Sequence, residues 1–154
     1  MCVWKSFRII GASNTKRMKK SRRFVYYQPN EKDLTDGFGD CTIRALSKAF
    51  DCSWLEAFKM TIPFCMEYQT PNIFNLPCKL EVEVMEKLGF KYTGISNRKG
   101  VKRPTVEAFA KSHPVGRFIC NVARHEVAVV DGKFYDTWDC GENSLYGYYE
   151  KVEN

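Results

Sequence analysis

Asp131-Gly132, set between Glu126-Val127-Ala128-Val129-Val130 and Lys133-Phe134-Tyr135-Asp136, constrains this chain more than any other feature. An Asp-Gly pair between two β-rich runs is the strongest short-range hairpin signal, because a two-residue loop needs residues that accept positive φ. Such a loop pairs Val130 with Lys133, so Val129 faces Phe134, Val127 faces Asp136 and His125 faces Trp138. Side chains alternate along a strand, so His125, Val127, Val129, Phe134, Asp136 and Trp138 share one face. There Asp136 is the diagonal neighbour of His125, about 7 to 8 Å away by backbone and within side-chain reach. Asp139 falls on the opposite face, and a one-residue bulge would exchange the two carboxylates.

Upstream, the pattern is helical. Asp40 is the expected N-cap of a helix in which Ile43, Leu46 and Phe50 recur at helical spacing. Ser53-Trp54-Leu55-Glu56 is a capping-box pattern that predicts a second helix through about Met60. Leu80, Val84, Met85 and Leu88 define a third, stopped by Gly89, and Pro104 opens a fourth that ends before His113-Pro114. Further strands are expected at Phe24-Val25-Tyr26-Tyr27, Phe90-Lys91-Tyr92 and Arg117 to Val122. Helices first and an antiparallel sheet later predict an α+β fold.

Charge is unevenly placed. Eight of the 24 basic residues and none of the 18 acidic ones precede residue 24, so the net +6 belongs to the first segment. Residues 1–23 therefore read as a flexible basic arm and 24–154 as one α+β domain. A hydrophobic share of 44% suits a globular chain, and no apolar run reaches the roughly 18 to 20 residues of a membrane span. Seven cysteines, an odd number, and no secretory h-region predict mostly reduced thiols in a cytoplasm.

Cys41 then stands at a helix start, with His125 and Asp136 on a later hairpin. Unpaired N–H groups and the helix dipole favour a thiolate at that position. A nearby imidazole stabilises the thiolate and moves protons, and a carboxylate on its other nitrogen fixes tautomer and orientation. The backbone N–H of Cys41 is a candidate oxyanion donor. The negative charge of Asp40 beside the thiol works against its ionisation.

Three segments carry a resemblance: Gly39-Asp40-Cys41-Thr42-Ile43-Arg44-Ala45-Leu46; His125 with Ala128-Val129 and Asp131-Gly132; and Tyr135-Asp136-Thr137-Trp138-Asp139. Together, over roughly residues 37 to 140, they resemble small proteins of bacteriophages and Gram-positive bacteria related in layout to papain-like cysteine peptidases. The resemblance implies a papain-like fold, a bacterial or phage-infected cytoplasm, and Cys41 as nucleophile, His125 as base and Asp136 as orienter. It implies a thiol hydrolase or acyl transferase acting on an amide or peptide bond of a protein or peptide substrate, without metal or organic cofactor. That family places a glutamine a few residues before the nucleophile; here Gln28 is the nearest, and it becomes the candidate oxyanion side chain. Arg44 is a candidate for holding a substrate carboxylate or an acidic neighbour such as Asp40, and Trp138 for touching substrate. Segment 61–79, with Pro63, Pro71 and Pro77, is the expected cleft-edge loop.

Three readings compete. Cys52, Cys65 and Cys78 recur at a regular interval, but zinc modules normally use close cysteine pairs. Lys16, Arg17, Lys19, Lys20, Arg22 and Arg23 form a block able to contact nucleic-acid phosphates, without any recognised nucleic-acid-reading motif beside it. The last keeps the scaffold and drops the reaction, leaving a papain-like binding or inhibitor protein. Oligomeric state leaves no mark on the sequence.

Overall fold

Ile43, Ala45, Leu46 and Ala49 make one side of helix α1 (Cys41–Phe50) an apolar stripe, and that stripe lies along strand β4 (His125–Val130). The computed structural model describes residues 20–32 and 39–153; Lys16, Arg17, Lys19 and most of the loop before Asp40 fall outside them. The fold is α+β. Its six-stranded sheet has the order β1 (Phe24–Tyr26), β5 (Lys133–Asp136), β4, β3 (Arg117–Val122), β6 (Gly147–Lys151), β2 (Phe90–Gly94). Helices α1, α2 (Trp54–Glu67) and α3 (Cys78–Lys87) build the core on one face, around Leu46, Met85, Ile119, Ala128 and Tyr149. Helix α4 (Val106–Ser112) covers the other face with Val106 and Phe109 against Phe118, Val127 and Val129.

The hairpin forms in the register expected from Asp131-Gly132. Val130 pairs with Lys133 and Val129 with Phe134, and both turn residues take positive φ, +47° and +74°. The capping box at Ser53 is complete: Ser53 Oγ accepts from the Glu56 N–H at 3.2 Å, and the Glu56 carboxylate accepts from the Ser53 N–H at 2.8 Å.

Several expectations are corrected. The sheet is mixed, because β1 runs parallel to β5 (Phe24 beside Phe134, Tyr26 beside Asp136). Strand β6 was not anticipated. Helix α2 continues through Pro63 to Glu67, with Pro63 on its exposed side, where solvent can reach the carbonyl left free by the missing N–H. Asp40 precedes α1 but its side chain makes no cap; Arg44 and Trp54 hold it instead. Residues 20–23, assigned by charge to the arm, are tied to the folded part. The Ser21 N–H donates to Asp139 (2.7 Å), Arg23 donates from its guanidinium to the Gly132 carbonyl (2.9 Å), and the Lys20 ammonium lies over the Phe24 ring. Among the described residues, no helix is long and apolar enough to cross a membrane.

Candidate active site

The sheet's active edge is where β4 begins and β5 ends. Packing of α1 along β4 brings the helix N-terminus, and so Cys41, to the start of that strand beside His125. His125 follows a tight turn from Val122, with which it pairs. Asp136 closes β5 on the same face as His125, as strand alternation requires. His125 Nε2 meets Asp136 Oδ2 at 2.5 Å, and Cys41 and the imidazole line the same cleft, close enough for each to shift the other's titration. The three residues are buried, Cys41 7% and His125 9% exposed.

The electrostatics follow from these contacts. Burial pushes the Cys41 thiol up, but the His125 hydrogen bond, the Glu126 backbone N–H and the charges of His125 and Arg44 together leave it lowered. Burial pushes His125 down, yet hydrogen bonds to Asp136 and Cys41 and their negative charges carry it up to about 9. Both shifts run toward a thiolate beside an imidazolium.

Asp136 is held on every side. Its Oδ1 accepts from the Thr137 N–H (2.8 Å) and from Arg44 Nη2 (3.4 Å), and the Cys140 thiol lies within 4.8 Å of the same carboxylate. Arg44 bridges Asp136 to Asp40, whose other oxygen accepts from Trp54 Nε1 at 3.0 Å. Of the two roles considered for Arg44, the structure shows the bond to an acidic neighbour. It also answers the expected conflict between Asp40 and the thiol, because a guanidinium lies against that carboxylate.

A cleft of about 700 Å³ opens over the thiol. Gly39, Cys41 and Arg44 form one wall, and Pro71, Asn72, Phe74 and Asn75 the facing one. Arg124, His125, Thr137 and Trp138 complete it. The expected cleft-edge loop is thus its second half, because residues up to Glu67 are helical. Asn72 Nδ2 donates to the Gly39 carbonyl at 2.7 Å and ties this loop to the backbone just before Cys41. Trp138, 46% exposed, sets its ring centroid 5.2 Å from that of His125. Gln28 does not line the cleft; its side-chain oxygen accepts from the Asn30 N–H at 3.0 Å. Lys20, Arg22 and Arg23 lie away from the cleft as well.

Behind the thiol lies a group that residue spacing did not single out. Glu126 sits on the α1–α3 face of the sheet, wholly buried, beside Glu81. Asn121 Nδ2 donates to both carboxyls, at 3.1 and 3.4 Å, and the Tyr149 hydroxyl donates to Glu81 at 3.0 Å. Burial first, then the charges of Glu81 and Cys41, push the Glu126 carboxyl well up, toward its protonated form. One charged residue inside an otherwise apolar strand was the available signal.

His125, Asp136 and Cys140 are the described residues that bring three metal-ligand types together, with ligand atoms within 4.8 Å of one another. They already bond to each other through protons, and burial pushes the Cys140 thiol far up. Cys52, Cys65 and Cys78 form no such cluster. No protein-family model matches the sequence, and no curated protein or solved structure matches it either.

Proposed function

We propose that this protein is a thiol-dependent hydrolase or acyl transferase of the papain-like type, acting on an amide or peptide bond. The observation that carries the reading is the position of His125, with Cys41 close enough for each to shift the other's titration and the buried Asp136 carboxylate bonded to Nε2. Two ring nitrogens with two such partners leave the imidazole one orientation and one job.

In this reading the Cys41 thiolate attacks the substrate carbonyl carbon, and the electron pair moves onto oxygen. First-turn N–H groups of α1 have no acceptor within the helix, and that of Cys41 faces the developing oxyanion. Imidazolium His125 gives its proton to the leaving nitrogen as the C–N bond breaks, leaving a thioester on Cys41. Neutral His125 then takes a proton from water, or from an acceptor amine or hydroxyl, which attacks the thioester and frees the thiol. Asp136, fixed by Thr137 and Arg44, keeps the imidazole aimed throughout. The helix-first, hairpin-later order of Cys41, His125 and Asp136 supports the papain-like assignment of the fold.

The test is the rate of Cys41 alkylation by iodoacetamide against pH, followed by peptide mass, in the wild type and in His125→Ala. A Cys41 that reacts well below the ordinary thiol value of about 8.5, and loses that reactivity in the variant, is expected. Hydrolysis should decline on the alkaline side as His125 deprotonates near 9, because the leaving group then lacks its proton donor. An ordinary alkylation profile, unchanged in a folded His125→Ala, would sink the enzymatic reading and leave a binding scaffold.

A further inference from the structure

Among the described residues that line the cleft, Arg124 is the cation that the catalytic reading does not use. It occupies the tight turn between β3 and β4, directly before His125, with φ at +54°. Residues carrying a Cβ disfavour that region, and glycine or asparagine would be the ordinary occupant. The side chain is exposed and lines the cleft. Unlike Arg44, it is in no ion pair of the described residues.

Among the described residues, nothing acidic in the lining answers this charge. The carboxylates nearest the catalytic pair are occupied: Asp40 and Asp136 by Arg44, and Asp139 by the backbone N–H groups of Ser21 and Gly141. Glu142 lies in a separate surface depression with Lys20 and Arg22. The remaining lining is neutral, from Asn72, Phe74 and Asn75 to Thr137 and Trp138. Positive charge also continues along this edge of the sheet. The Tyr146 N–H donates to the Asn121 carbonyl at 2.8 Å, close to the Arg124 turn, and the Arg103 guanidinium covers the Tyr146 ring at 4.2 Å. Exposed Arg98, Lys99 and Lys102 belong to the same loop as Arg103.

We propose that Arg124 is a specificity residue that receives a carboxylate of an acidic peptide substrate, within an arginine's reach of the bond that Cys41 attacks. The inference rests on the thiol-enzyme reading. A planar guanidinium with free donors matches a carboxylate in two-point geometry. Placing it one residue from the imidazole couples recognition of the acid to alignment of the scissile bond.

A charge-paired alkylation experiment tests this without a known substrate. The full chain is treated at neutral pH and low salt with iodoacetate, which carries a carboxylate, and with iodoacetamide, which does not. Cys41 rates are read by peptide mass in the wild type, Arg124→Lys and Arg124→Gly. Glycine suits the left-handed backbone, so that variant keeps the turn. The iodoacetate-to-iodoacetamide rate ratio is expected to fall about three- to fivefold in Arg124→Gly, the scale of one exposed ion pair, and to be largely retained in Arg124→Lys. High salt should lower the wild-type ratio and leave that of Arg124→Gly nearly unchanged. A reactive Cys41 whose ratio is the same in wild type and Arg124→Gly overturns the specificity role alone. A Cys41 slow with both reagents in the wild type overturns the thiol-enzyme reading, and this inference with it.

Discussion

His125 and Glu126 are neighbours in sequence and point to opposite faces of β4, where two buried polar clusters meet the loss of water in opposite ways. On the His125 side the carboxylates are met by cationic partners. Asp136 is surrounded by an imidazole, a guanidinium, a thiol and a backbone N–H, and Arg44 answers Asp40 as well. On the Glu126 side no cation of the described residues is paired with either carboxyl, and burial pushes both toward their protonated forms beside an amide and a phenol. A buried carboxylate without a positive partner is too costly to keep ionised. Ionisation is therefore favoured on the one face where the proposed chemistry uses it.

The largest expected break in this comparison is Arg44→Met, which preserves length and apolar volume while removing the cation between Asp40 and Asp136. Leaving buried carboxylates unpaired should cost about 3 to 5 kcal/mol, read as a lowered urea midpoint. A loss below about 1 kcal/mol would mean that the hydrogen bonds alone hold these acids.

Glu126→Gln probes the opposite cluster through pH. A carboxyl whose folded value is raised contributes stability that is complete below its unfolded value, near 4.5, and is lost as pH climbs through the folded value. Wild-type stability should therefore fall between about pH 5 and 7, by up to about 1.4 kcal/mol per pH unit for each carboxyl that stays protonated. Glu126→Gln should remove one such contribution and flatten the slope. Parallel stability curves for the two proteins would show that Glu126 is not held toward its protonated form.

Cys140→Ala should have the smallest effect. It deletes one thiol contact to Asp136 and leaves a small hole, together about 1 kcal/mol in urea unfolding. A loss near that of Arg44→Met would raise Cys140 from auxiliary donor to main support of the site.

The pairing of His125 with Asp136 was legible because strand alternation and a two-residue turn are local rules, and Asp131-Gly132 obeys both. The placement of Cys41 was legible from the apolar spacing of Ile43 and Leu46. Other features depend on partners distant in sequence. Strand β6 lies in a stretch of Gly, Asn, Ser and Tyr without clean alternation, and becomes a strand because β2 and β3 flank it. The parallel pairing of β1 needs residues more than a hundred positions away. Pro63 punctuates the sequence but not the helix, since its ring falls on the exposed side. Asp40 looked like a cap because only the tertiary fold reveals that Arg44 and Trp54 reach it first.

The position of β6 in the sheet has a consequence for how the molecule comes into being. β2 (Phe90–Gly94) has β6 as its neighbour in the sheet, and β6 follows it by more than fifty residues. Closing that pairing means joining segments far apart in sequence, the kind of topology that folds slowly. Asp136 likewise emerges long after Cys41. On the proposed reading, a nascent chain would carry its helix-borne thiol through more than eighty further residues before the imidazole and carboxylate that activate it are made, and reactivity would switch on only once β4 and β5 are in place.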